Sequence, residues 1–118
     1  MLYFQATGTH FMIGSLAKAW GEFIRYLEVG DDQLAIREVE KYKNGNIVIY
    51  DRIHWCDDFG MLIGYRFSLK PKWSAHFRNV RILSAVEFEN VWRMAQSAPE
   101  WENQVASSRV AKWGEWCD

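Results

Sequence analysis

The stretch Glu38-Val39-Glu40-Lys41-Tyr42-Lys43-Asn44-Gly45-Asn46-Ile47-Val48-Ile49-Tyr50-Asp51 decides the fold. Asn44-Gly45 tolerates the positive φ of a tight hairpin turn, and the runs on either side favour a pleated surface. Two antiparallel strands are predicted, over about 34–43 and 46–54. Charge then selects their register. A two-residue loop sets Arg37 against Arg52 and Glu38 against Asp51, like facing like. A three-residue loop closing on Gly45 instead sets Arg37 against Asp51, Glu38 against Tyr50 and Val39 against Ile49, and this register is expected.

Upstream, Glu22-Phe23-Ile24-Arg25-Tyr26-Leu27-Glu28-Val29 reads as a third strand, ended by Gly30-Asp31-Asp32. Downstream, residues 61–70 alternate cleanly, with Met61, Ile63, Tyr65, Phe67 and Leu69 on one face, which predicts a half-buried strand stopped by Pro71. Ser84-Ala85-Val86-Glu87 is a capping box and opens a helix over 85–96, whose apolar stripe is Ala85, Phe88, Trp92 and Ala95 with Val91 alongside. Ser97-Ala98-Pro99-Glu100 starts a second helix, carrying Trp101, Val105, Ala106, Val110 and Trp113 toward the core. Strands followed by helices predict an α+β fold, an antiparallel sheet of three to five strands with two C-terminal helices packed on one face.

A chain of 118 residues suits one domain. The opening Met1-Leu2-Tyr3-Phe4-Gln5 resembles the tail of a protease-cleavage linker. Residues 1–14 are therefore read as a linker-derived or flexible segment ahead of a single domain over 15–118, with a native strand as the alternative.

Hydrophobic residues at 49%, charged residues at 25% and a net charge of −1 exclude a disordered or collagen-like chain. No apolar run approaches the roughly 18 residues of a membrane span. Cys56 and Cys117 lie outside any Cys-x-x-Cys or Cys/His cluster, so free thiols in a reducing, cytoplasmic setting are expected, with no metal and no cofactor. The chain has no Gly-x-Ser-x-Gly elbow, phosphate-binding glycine loop or His-Glu-x-x-His.

The densest polar cluster runs from Tyr50 to Gly60. Within it Asp51, His54 and Cys56 form a speculative polar site. His54, Asp57 and Asp58 could serve a small metal-dependent hydrolase, and Cys56 could attack as a thiolate if a base such as His54 or His76 lay beside it. The plainer reading pairs Asp51 with Arg37, starts a turn at Asp57-Asp58 and leaves His54 as a satisfied edge residue.

Arg66, Lys70, Lys72, Arg78 and Arg81 are interleaved with Phe67, Trp73, His76 and Phe77, a pattern that suits single-stranded nucleic acid or an acidic protein. A pI near 6.3 argues against nucleic acid. Seven tryptophans are a heavy load for this length and suit interface anchors. A non-enzymatic protein-interaction module is the first expectation, with Trp55, Asp57, Asp58, Trp73, Arg66 and Lys70 as partner-binding residues. An uncovered edge strand offers a second route, to a homodimer.

Arg25-Tyr26-Leu27-Glu28-Val29, the Asn44-Gly45 turn, Tyr50-Asp51-Arg52-Ile53-His54-Trp55 with Asp57-Asp58-Phe59-Gly60, and Glu87-Phe88-Glu89-Asn90-Val91-Trp92 resemble a family of small bacterial α+β domains of unknown function, over residues 23–113. The resemblance implies the fold and carries over no activity, substrate or catalytic residue. Similar small domains occur among immunity proteins and mobile-element cargo.

Overall fold

A computed structural model describes residues 1–8, 15–64, 67 and 77–108. The hairpin forms as charge requires. Arg37 faces Asp51, Glu38 faces Tyr50 and Val39 faces Ile49, and the loop closes through Tyr42 N–H to Asn46 O at 2.9 Å and Gly45 N–H to Tyr42 O at 3.0 Å. Gly45 takes φ +92°, a conformation that glycine adopts without strain.

Around it the chain forms β1 (Leu2–Gly8), β2 (Phe23–Val29), β3 (Ala35–Tyr42), β4 (Ile47–Asp51), β5 (Cys56–Asp57), β6 (Gly60–Met61), β7 (Arg78–Ile82), α1 (Ala85–Gln96) and α2 (Glu100–Ala106). Five strands make one antiparallel sheet in the order β4-β3-β2-β1-β7, while β5 and β6 pair separately. The fold is α+β, as the pattern of strands and helices predicts. Leu2–Gly8 lies inside the sheet, paired with β2 along its whole length, so this part of the leading segment is a strand and not a flexible leader. Residues 9–14 lie outside those described.

Side chains alternate across the sheet. On one face Tyr3, Tyr26, Val39, Ile47 and Ile49 pack with Phe88, Trp92 and Ala95 of α1 and with Trp101 of α2. On the other, Phe4, Phe23, Leu27, Tyr42, Val48 and Tyr50 meet Trp55, Cys56, Phe59, Leu62, Phe67 and Phe77. That cover has a topological cause. The chain leaves β4 at one edge and must reach β7 at the other, roughly 19 Å away at about 4.8 Å per strand, and it crosses over the face that the helices leave open.

The crossing corrects the strand expected over 61–70. Among the described residues of this span only Met61 is in a strand, Leu62 is buried where the alternation would expose it, and Phe67 N–H donates to Gln33 O at 2.7 Å. A segment crossing the face inserts single side chains into the core and has no neighbouring strand to enforce a period of two. Tyr65, Leu69 and Pro71 lie outside the described residues. The strand expected over 46–54 ends at Asp51, whose Oδ1 accepts from Ile53 N–H at 2.8 Å and His54 N–H at 2.7 Å, turning the chain.

The first helix matches its signal. Ser84 Oγ accepts from Glu87 N–H and Glu87 Oε1 accepts from Ser84 N–H, each at 3.1 Å, while Phe88, Trp92 and Ala95 are buried and Ala85 is exposed. Ser84→Ala should cost about 1 kcal/mol in urea unfolding with an unchanged denaturant slope. In α2 the buried residue is Gln104, whereas Val105 and Ala106 face solvent, correcting the stripe expected there. Val110 and Trp113 lie outside the described residues.

Candidate functional site

Asp57 is 3% exposed and is the centre of the polar cluster. Its Oδ1 accepts from Tyr50 OH at 3.0 Å, Phe59 N–H at 2.8 Å and Gly60 N–H at 3.2 Å. Its Oδ2 meets His54 Nε2 at 2.7 Å and Gln104 Nε2 at 3.0 Å. A carboxylate only accepts, so the imidazole nitrogen is the donor. Five donors on one carboxylate offset the cost of burying its charge.

Gln104 does a second job. β4 is the edge of the sheet, and Ile49 turns its N–H and C=O outward. The Gln104 amide receives the N–H on Oε1 at 3.0 Å and donates to the carbonyl from Nε2 at 2.8 Å, as a further strand would. α2 is thereby fastened to β4 and, through Asp57, to β5. His54 lies between the rings of Trp101, at 5.0 Å, and Tyr50, at 6.2 Å.

Beside this knot, on the same face of the sheet, lies a second buried group. Arg25 Nε donates to Glu38 Oε2 at 2.9 Å, Ile63 N–H donates to Glu38 Oε1 at 2.9 Å, and Tyr42 OH donates to Glu40 Oε1 at 2.8 Å. Burial pushes the Glu38 carboxyl up to about 8, against the pull of Arg25. Glu40 is raised by the same burial, and the Tyr42 and Tyr50 hydroxyls are raised by burial and by the carboxylates near them.

Several sequence expectations change here. Trp55 is 3% exposed and belongs to the core, so it cannot anchor a partner. Asp57 likewise faces inward, because its turn is built around its own carboxylate. His54 and Asp57 are brought together, but Asp58 stays exposed beside them with its N–H on Ser107 Oγ at 3.3 Å. Among the described residues no group of three His, Cys, Asp or Glu is arranged to hold a metal ion. Asp51 stands opposite Arg37 as expected yet does not pair with it. Its carboxylate caps the turn, while Arg37 binds Glu28 and Glu89.

Cys56 is disulfide-bonded, which corrects the free-thiol expectation, removes it as a nucleophile and takes away the argument for a reducing compartment. Cys117 lies outside the described residues. Of the basic segment, Phe67 and Phe77 are core. Arg78 donates to Glu22 at 2.9 Å and Arg81 to Glu87 at 3.1 Å. Arg66, Lys70, Lys72, Trp73 and His76 lie outside the described residues. β7, the other sheet edge, carries these two arginines and a bulge at Asn79, φ +56°, features that oppose pairing with a second copy.

Sequence reasoning missed Arg25, Glu38, Glu40, Tyr50 and Gln104. One signal was available, since Glu38 and Glu40 share a strand face with Tyr42, so a charged pair had to enter any core on that face. No helix among the described residues is long and apolar enough to cross a membrane. No family model, curated protein or solved structure matches the chain.

Proposed function

We propose that the chain is a non-enzymatic protein-interaction module, of the immunity-type, regulatory or mobile-element kind that the resemblance to small bacterial domains suggests. The observation that carries this reading is Ile53. It is 93% exposed at the head of a turn whose backbone is pinned by Asp51 Oδ1, and the next residue, His54, packs on the half-buried Trp101. A large apolar side chain held on a rigid turn loses little entropy on docking, which is the property of an interface anchor. Saturation of the polar cluster supports the same reading. Among the described residues every buried side-chain nitrogen or oxygen has a partner, so His54 and Asp57 are committed to the fold. The disulfide at Cys56 favours an oxidising compartment over the cytoplasm.

Ile53→Asp tests the reading. Because the side chain rests in solvent, the melting temperature should stay within about 2 °C of wild type. Binding of the protein that wild type captures stoichiometrically should fall at least about 30-fold, the effect of losing an anchor. Equal affinity of wild type and variant for that protein, measured by titration calorimetry, would overturn the assignment of the surface.

A further inference from the structure

We propose that β4 is a latent docking edge for a second copy of this chain, and that the Gln104 carboxamide of α2 keeps it closed. The surface is distinct from the Ile53 turn and does not rest on that reading. The two edges of the sheet are protected by different means. β7 carries Arg78, Arg81 and the bulge at Asn79 within its own strand. β4 carries no such device. Ile47-Val48-Ile49-Tyr50-Asp51 pairs with β3 without a bulge, has no Lys, Arg or Pro, and is β-branched or aromatic from Ile47 to Tyr50. Its protection comes from outside the strand, where Gln104 takes the N–H and the C=O of Ile49 as a neighbouring backbone would.

The strand is complementary to itself. Ile49 turns its backbone groups outward, and by the alternation of an antiparallel ladder so do Ile47 and Asp51. A two-fold axis through Ile49 pairs the full length of the strand. It sets Ile49 against its copy, Ile47 against Asp51 and Val48 against Tyr50, with no like charges facing. Ile49 and its copy exchange both backbone bonds, and Ile47 N–H donates to Asp51 C=O of the other copy. The Asp51 N–H stays in its own turn, on His54 O at 3.1 Å. Both apolar faces continue across the joint, with Ile47 and Ile49 on the helix side and Val48 and Tyr50 on the other.

Gln104 and a second copy cannot both hold Ile49, because the carboxamide stands where the other backbone would lie. Gln104 is the residue that α2 buries, the helix spans seven residues, and its N-cap Pro99 makes no side-chain bond. So short a helix opens ahead of the sheet. Each opening presents Ile49 to the other copy, and the open fraction sets the apparent dimer constant.

Wild type supplies the arm of the test that needs no substitution. In urea below the unfolding transition, exchange of the Ile49 amide should slow as protein concentration rises. Gln104→Leu keeps an apolar body in the contact and leaves Ile49 without its donor and acceptor. It should dimerise at least about tenfold more tightly than wild type in sedimentation equilibrium, since the stranded backbone groups favour the copy. Adding Ile47→Pro, at the first residue of the strand where proline spares the bonds to β3, should return the variant to the wild-type state. The proposal is overturned if Ile49 exchange in wild type is independent of concentration. It is equally overturned if Gln104→Leu, with the near-ultraviolet spectrum of wild type, stays as monomeric as wild type, or associates in a manner that Ile47→Pro leaves unchanged.

Discussion

Replacing Asp57 by alanine is expected to cost about 4 kcal/mol in urea unfolding and to lower the melting temperature by roughly 15 °C. The reason lies in what is left behind. Tyr50 OH, His54 Nε2, Gln104 Nε2 and the N–H groups of Phe59 and Gly60 all donate to this carboxylate, and none can follow it to water. An unsatisfied buried donor costs about 1–3 kcal/mol, but the five share one acceptor and relax together, so the total stays below their sum. Asp57→Asn should fall between the two, because it keeps the shape while turning an NH2 group against some of the donors. A loss under about 1 kcal/mol for Asp57→Ala would show that the donors find other acceptors and that the knot is not the centre of this edge.

The same knot explains why loss of Asp57 should be felt in α2. Gln104 is shared between Asp57 and the outward-facing backbone of Ile49, and α2 spans only seven residues, too short to persist on helix propensity alone. Without Asp57 the glutamine loses one of its fixed points, and Trp101 loses the oriented face of His54.

What the sequence disclosed depended on whether the signal was local. The Asn44-Gly45 hairpin and the Ser84–Glu87 capping box are decided within a few residues, and charge facing charge across one turn was enough to select the register. The alternation failed at the described residues 62–64 and 67 because period-two patterning needs a neighbouring strand to enforce it, and Leu62 and Phe67 instead enter the core from the face opposite the helices. Val105 was expected inside, and Gln104 drew no attention, because periodicity counts apolar residues. The edge of β4 needed a donor and an acceptor more than it needed a methyl group. His54 and Asp57 were legible as a pair, but not the saturation of Asp57, whose donors come from residues 50, 54, 59, 60 and 104. For Leu2–Gly8 the likeness to a linker outweighed the strand alternative, because pairing with both β2 and β7 is a long-range fact no local reading contains.

Arg37→Ala should destabilise by about 3 kcal/mol, the second large effect. Arg37 reaches Glu28 with Nε at 2.6 Å and Nη2 at 3.0 Å, reaches Glu89 of α1 with both terminal nitrogens, and lies over the rings of Phe88 at 5.0 Å and Trp92 at 5.1 Å. It thus joins β2 and β3 to α1 through one planar fork, and removal strands the buried Glu28 carboxylate without its cation. Arg37→Lys should recover less than half of the loss, since an ammonium can neither chelate Glu28 with two parallel bonds nor stack on both rings. Acid supplies an independent check. Hydrogen bonds from Arg37 hold the Glu89 carboxyl below its ordinary range, so the stability this contributes is complete above that range and is lost as pH falls through it. In Arg37→Ala the Glu89 midpoint, read by carboxyl NMR, should rise to the ordinary value. An unmoved midpoint would show that Glu89 draws its low value from elsewhere, and the fork would then hold the sheet alone.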